Sequence, residues 1–246
     1  MSISTDGIVI KVNNVGEYNR SISVLTAEHG IIHAFVHGAR SLKNKNNSAT
    51  TLLCYSHFTF SQKKDTYTVT DATVNKLFFS LNGDIEKLAL AQYFCELSLC
   101  LAPVEDDSRE YLRLMLNSLN FLSNSSREPL LLKSIMELRL LSISGYTPDI
   151  VACRDCGEYE SDVMHFDALN GELFCDGCRP SGARLIPISR GALAAMRHIV
   201  YSDFEKLYSF SIPEDTQKNL NAACEAFLLS QTERKFTTLD FYKGLV

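Results

Sequence analysis

The sequence predicts an α+β chain: a small closed five-stranded barrel, then a helical domain that carries a four-cysteine metal module. Three observations among its 246 residues carry that expectation. Short runs of β-branched and aromatic residues with a period of two fill the first 80 positions. From residue 84 the apolar spacing becomes helical. Two matched pairs, Cys153-Arg-Asp-Cys156 and Cys175-Asp-Gly-Cys178, then stand 18 residues apart.

The strands come first. Residues 3–12 mix β-branched with polar side chains. Residues 21–26 and 30–36 form a hairpin about Glu28-His29-Gly30. Residues 54–62 and 66–74 form a second hairpin joined by Lys63-Lys64-Asp65. Alternation puts Phe58 and Phe60 on one face, and Tyr67 and Val69 on one face of the partner strand. Five short strands in about 75 residues suit a closed barrel, and the five-stranded OB-fold is the common form. Residues 40–51 are polar and aperiodic and carry Arg40, Lys43 and Lys45, so an exposed loop is expected there.

Helices follow. Residues 85–101 hold a helical apolar pattern that Pro103 ends. Asp107-Ser108 can cap the next helix, which runs through Leu122. Pro129 opens a strongly apolar helix, with Gly145 at its C′ position and Pro148 just beyond. The cysteine module occupies 150–185, with strand-like 165–167 and 172–174 between the pairs. Helices at 189–201, 214–231 and 237–245 complete the chain. The expected division is therefore 1–80 barrel, 81–149 first helical part, 150–185 metal module and 186–246 second helical part.

The cysteine spacing lies in the window of a structural zinc site. Each pair can grip one edge of a tetrahedral ion, and Cys153, Cys156, Cys175 and Cys178 together complete an S4 shell. Such a shell is closed, so one Zn2+ would hold the fold and not catalyse. Disulfides, a redox pair or an iron–sulfur cluster could use the same residues. The opening Met1-Ser2-Ile3-Ser4-Thr5-Asp6 lacks the basic and apolar regions of a secretory signal. A cytoplasmic chain with reduced thiols is therefore expected, which disfavours disulfides. Cys54, Cys95, Cys100 and Cys224 sit in apolar-periodic segments and read as small core hydrophobes.

Composition and motifs narrow the function. No run of 18 apolar residues occurs, so no membrane span is expected. Residues 1–80 carry eight Lys/Arg against five Asp/Glu, and the remainder 16 against 24, within a net charge of −5. A basic first part on an acidic body hints at a polyanionic partner. The sequence has no P-loop, H-E-x-x-H, G-x-S-x-G or zinc-deaminase pattern, so no catalytic constellation is expected. His29, His33, His57 and His198 read as solvated or satisfied side chains, and His165 stands among four better metal ligands. A small barrel binds single strands by stacking bases on aromatic residues while cations hold phosphates. Phe35, Tyr55, Phe58 and Tyr67 are the stacking candidates, of which alternation sends half into the core.

Ordered segments now bear a likeness. Gly16-Glu17-Tyr18-Asn19-Arg20, Leu25-Thr26-Ala27-Glu28-His29-Gly30 and Val36-His37-Gly38-Ala39-Arg40 resemble the N-terminal signature of the bacterial RecO family. Glu137-Leu138-Arg139-Leu140-Leu141, Gly145-Tyr146-Thr147-Pro148, Cys153-Arg-Asp-Cys156-Gly157, Phe166-Asp167 and Gly171 resemble its central signature. The set spans nearly the whole chain. It departs at His37, where the family usually has lysine, and at Ser41-Leu42, which thin a denser basic run.

The resemblance implies an OB domain on a helical domain with a zinc module, and a DNA-repair mediator that makes no bonds itself. It implies binding to single- and double-stranded DNA and annealing of complementary strands. It also implies loading of RecA, with RecR, onto strands coated by single-stranded-DNA-binding protein, in the cytoplasm at the nucleoid. Arg20, Arg40, Lys43, Lys45, Lys63 and Lys64 are the expected phosphate contacts. Lys133 or Arg139 would meet the carboxylate of that coat protein's acidic C-terminal tail. The rival expectation is a zinc-ribbon adaptor between proteins, without direct DNA binding.

Overall fold

Period-two alternation in the first third of the chain resolves into five strands: β1 (Ser2–Val15), β2 (Asn19–Thr26), β3 (Ile31–Val36), β4 (Cys54–Lys63) and β5 (Thr66–Leu77). The computed structural model describes residues 2–41, 44–64 and 66–246. The strands close into a barrel in the order β1-β2-β3-β5-β4, the expected OB-fold topology. Neighbours are antiparallel except β3 and β5, where Ala34 faces Tyr67 and Phe35 faces Thr68. A register shift between Val9 and Lys11 bends β1, so its first half pairs with β4 and most of its length with β2. Val9, Ile22, Val24, Ile32, Phe58 and Phe60 fill the interior. The turn before β3 depends on Gly30, whose φ is +60° and where a Cβ would stand 2.3 Å from the Pro103 carbonyl oxygen.

The polar stretch 40–51 is not the wholly exposed loop its composition suggests. Ser48–Thr50 is a short 3-10 helix, and Asn46, Ala49 and Thr50 are buried. The polar atoms there find local partners. Asn46 Oδ1 accepts from the Ala72 amide at 3.1 Å, and Thr50 Oγ1 donates to the Asn46 carbonyl at 2.8 Å. Satisfied polar groups can be buried at little cost, so polarity alone misleads about exposure.

The chain divides into two compact units. The first is Met1–Ser126 with Phe236–Val246, and the second is Arg127–Lys235. In the first, α1 (Ile85–Leu101) is capped by Asp84, which accepts from the Lys87 amide at 3.1 Å. Helix α2 (Arg109–Ser123) follows. Of the expected Asp107-Ser108 cap, the serine is turned away, because Ser108 Oγ donates to the Thr26 carbonyl at 2.6 Å. Asp107 accepts from the Arg109 amide instead.

In the second unit α3 (Pro129–Ile143) ends in a Schellman turn, with Tyr146 N–H on the Leu141 carbonyl and Gly145 N–H on that of Ser142. Strands β6 (Val163–Asp167), β7 (Glu172–Cys175) and β8 (Ile186–Ser189) form a sheet in the order β7-β6-β8. The short β8 was not expected. Helices α4 (Arg190–Tyr201) and α5 (Glu214–Thr232) complete this unit, and α6 (Thr237–Lys243) belongs to the first. Among the described residues, no helix is long and apolar enough to cross a membrane.

Candidate metal centre and nucleic-acid interface

The two cysteine pairs meet in the second unit. Cys175 ends β7, and the turn after it returns the Cys178 and Arg179 amides to the Cys175 carbonyl, both at 3.1 Å. Cys153 and Cys156 lie on a turn closed by the Gly157 amide on the Cys153 carbonyl at 2.9 Å. The Arg154 amide docks this turn on the Leu173 carbonyl of β7 at 2.8 Å.

All four sulfurs lie within 4.8 Å of one another, with Cys156 and Cys175 at 3.6 Å. Sulfurs about 2.3 Å from a single tetrahedral ion sit about 3.8 Å apart, so a small contraction completes an S4 shell. Burial alone would raise the Cys153 thiol, but the amides of Cys156, Cys175 and Asp155 outweigh it and bring its pKa down to about 6. Shared hydrogen bonds with Cys156 and Cys175 push the Cys178 thiol up. His165, between the pairs in sequence, is buried and pairs with Asp176 at 2.6 Å. It is no part of the four-sulfur cluster.

The described ones among the expected phosphate contacts belong to the barrel and its loops and fall into separate groups. Arg20 faces Val36 at the end of β3, and the Arg40 amide bonds the Tyr18 carbonyl beside it at 3.0 Å. Arg20 Nη1 donates to the Asn47 carbonyl at 3.2 Å and to Asn47 Oδ1 at 3.1 Å. Burial, and then the neighbouring Arg40 charge, lower the Arg20 pKa. Neither arginine has a carboxylate partner among the described residues.

Lys45 is exposed but pairs with Asp71 at 2.6 Å. Lys63 and Lys64 are exposed at the β4–β5 tip, level with the start of β3, so they form a separate focus. Lys43 lies outside the described residues. Of the aromatic candidates, Phe58 is fully buried and stacked on Phe60 at 5.4 Å, and Tyr67 packs edge-on against Phe60 at 6.4 Å. Phe35, Tyr55 and Tyr67 are all half-buried.

Comparison with known proteins decides what carries this barrel and this cluster. Residues 1–78 match the family model "Recombination protein O N terminal", and residues 82–240 match "Recombination protein O C terminal". The chain belongs to the RecO family. It is 35% identical over 243 residues to the DNA repair protein RecO of Acetivibrio thermocellus, covering 99% of this chain and 97% of that one. It is 28% identical to the protein of that name from Symbiobacterium thermophilum, over 98% of this chain and 97% of the other. The Alkaliphilus metalliredigens protein of the same name is 23% identical over the full length of both.

Within this RecO-family chain, one of the two expected partner contacts requires correction. Lys133 is not a surface cation. It is 1% exposed and its ammonium bonds Glu137 at 2.7 Å, Glu225 at 2.9 Å and Asn221 at 2.8 Å. Arg139 spends Nη1 on the carbonyls of Ile199 and Val200, at 3.2 and 2.7 Å, capping the last turn of α4. The Lys133 charge serves the packing of the second unit, whereas Arg139 is half-buried and its Nε has no hydrogen-bond partner among the described residues. Sequence reasoning missed Asn47, Asp71 and Arg197, because each acts on a residue distant in sequence and carries no local motif.

Proposed function

We propose that this chain is a DNA-binding recombination mediator that works by binding and makes no bonds. Residues 1–80 would bind single- and double-stranded DNA. The observation that carries this is the Arg20–Arg40 pair: two adjacent guanidinium groups without a carboxylate partner among the described residues, on a closed barrel of a DNA-repair family. Like charges held together gain most from a shared anion, and a guanidinium suits a phosphate in fork geometry. Lys43 and Lys45 would add to this group, Lys63 and Lys64 would form a second phosphate contact, and Phe35, Tyr55 and Tyr67 would stack bases.

Annealing follows physically. Neutralising two strands on one surface lowers their repulsion and raises their local concentration. RecR, the acidic tail of single-stranded-DNA-binding protein and, through them, RecA are the partners proposed from the family. The chain would act in the cytoplasm at the nucleoid.

Residues 150–185 would hold one Zn2+ through Cys153, Cys156, Cys175 and Cys178. The spacing favours a single ion, since a multi-iron cluster spreads its thiolates further apart. When bound, the ion supplies structural cross-linking, and these residues fix the 150–185 segment around it.

The test is fluorescence anisotropy of a labelled single strand across several salt concentrations, on protein of assayed metal content. Binding should weaken log-linearly with salt. Arg40→Gln should reduce the slope by about 0.7, one phosphate contact on a single strand. Absence of binding at low salt, in metal-loaded protein, would leave the protein-adaptor reading in its place.

A further inference from the structure

The two halves of the cysteine cluster are not held alike. Cys175 sits in a strand ladder, facing Met164, and its turn follows directly. The first pair has no such ladder. The segment from Ala152 to Asp162 contains no strand, and the nearest regular pairing before it is the bridge from Asp149 to Glu172. On one side the Arg154 amide and guanidinium tie it to Leu173 and Glu172. Helix α4 adds two ties: Arg190, in an exposed pair with Glu160, and a second residue that reaches both ends of the loop.

That residue is Arg197. Its Nε donates to the Ile150 carbonyl at 2.8 Å, and its Nη2 donates to the carbonyls of Val151 and Tyr159, both at 2.7 Å. The guanidinium carbon also lies 4.1 Å from the centre of the Tyr159 ring. Ile150 and Val151 precede Cys153, and Tyr159 follows Cys156. One planar group therefore clamps both ends of the loop that carries two of the four sulfurs. A lysine could not reproduce this, because its ammonium has no fixed fork and cannot stack.

We infer that Arg197 is a positioning residue for the metal centre, governing how fast the ion is lost through the Cys153–Cys156 side. The inference rests on the metal-binding reading above. An ion in a closed S4 shell leaves stepwise, and one pair of thiolates must swing away first. The pair on the laddered turn moves least. The pair on the loop moves only when its ends part, and parting them breaks the Arg197 bonds. While the clamp holds, a detached thiolate stays within reach and rebinds before its partner leaves.

The test uses the full chain loaded with Zn2+ or Co2+. Metal transfer to an excess of a chromogenic chelator gives the rate, and the Co2+ ligand-field spectrum reports the shell. Arg197→Met keeps an apolar stem against Tyr159 and should release metal about 10–100-fold faster, the usual effect of losing a residue that orients ligands. Arg197→Lys should fall between. The bound Co2+ bands should stay tetrahedral in both, because the ligands are untouched. Lys218→Gln, which removes an exposed pair with Glu214 within α5, should not change the rate. A role in helix packing alone would shift the melting temperature and leave the chelator rate alone.

Release within twofold of wild type from Arg197→Met with normal Co2+ bands would overturn the inference. A wild-type protein that takes up no stoichiometric Zn2+ or Co2+ would overturn the metal reading itself, and the inference with it.

Discussion

Lys133 is a long cationic side chain on a helix, the residue type least often buried. Its burial was not legible, because the two carboxylates that permit it lie one turn along α3 and on α5, 92 residues away. Burial alone would push its pKa down, but Glu137 and Glu225 outweigh that and hold it above the usual lysine value. A cation whose folded pKa is raised contributes stability that is complete below the unfolded value, about 10.4, and lost as pH rises through the folded one. The advantage of wild type over Lys133→Met should thus persist at neutral pH and shrink in strong base. At pH 7, Lys133→Met strands the buried Glu137 carboxylate and the half-buried Glu225 one, and should cost about 3–5 kcal/mol in urea unfolding. Asp71 illustrates the surface case. Its hydrogen bond from Lys45, and that cation's charge, hold its carboxyl below the usual range. Asp71→Asn should leave stability almost unchanged, because exposed pairs contribute little. It should tighten single-strand binding at low salt a few-fold by freeing Lys45, an effect that disappears at high salt.

Among the elements, those with a strong period were legible and those made by distant partners were not. Alternation revealed β4 and β5, and the Asp84, Pro129 and Gly145 signals bounded α1 and α3. The four-residue β8, with Pro187 inside it, has too little pattern to register, and it exists because β6 offers it an edge from Val163 to Phe166. The 3-10 turn Ser48–Thr50 was hidden by its polar composition. Two glycines test what the turns demand. Gly145 has φ +94° and open space about it, so alanine there meets only backbone strain, about 1 kcal/mol. Gly30 has φ +60°, and an added Cβ would also strike the Pro103 carbonyl and the Glu105 amide at 2.3 and 2.9 Å. Gly30→Ala must therefore move the 103–105 segment, breaking the bridge to Val104. Its urea midpoint should fall clearly further than that of Gly145→Ala, and an equal loss would mean that segment yields freely.

At the scale of the molecule, the net charge of −5 conceals a separation. The proposed phosphate contacts all belong to the Met1–Ser126 part, whereas the four sulfurs belong to Arg127–Lys235. The last helix returns to the first unit through the Glu96 carboxylate, which accepts from the Thr238 amide at 3.0 Å. A partner 142 residues away leaves no local signature in the sequence. This division predicts how the chain responds to loss of metal. Structural Zn2+ sites contribute on the order of 10 kcal/mol to folding, so chelation should release the segment that carries the cysteines and loosen β6 and β7, which join their two turns. The barrel owes its closure to Val9, Val24, Phe58, Phe60 and their neighbours, none of which depends on the ion. Hydrogen exchange on chelated protein should thus rise across 150–178 and stay slow in β1, β2 and β4. Single-strand affinity of the same sample should stay within about threefold of the loaded protein, because every proposed phosphate contact survives. A tenfold loss of affinity with the barrel amides still protected would move part of the DNA surface onto the metal module.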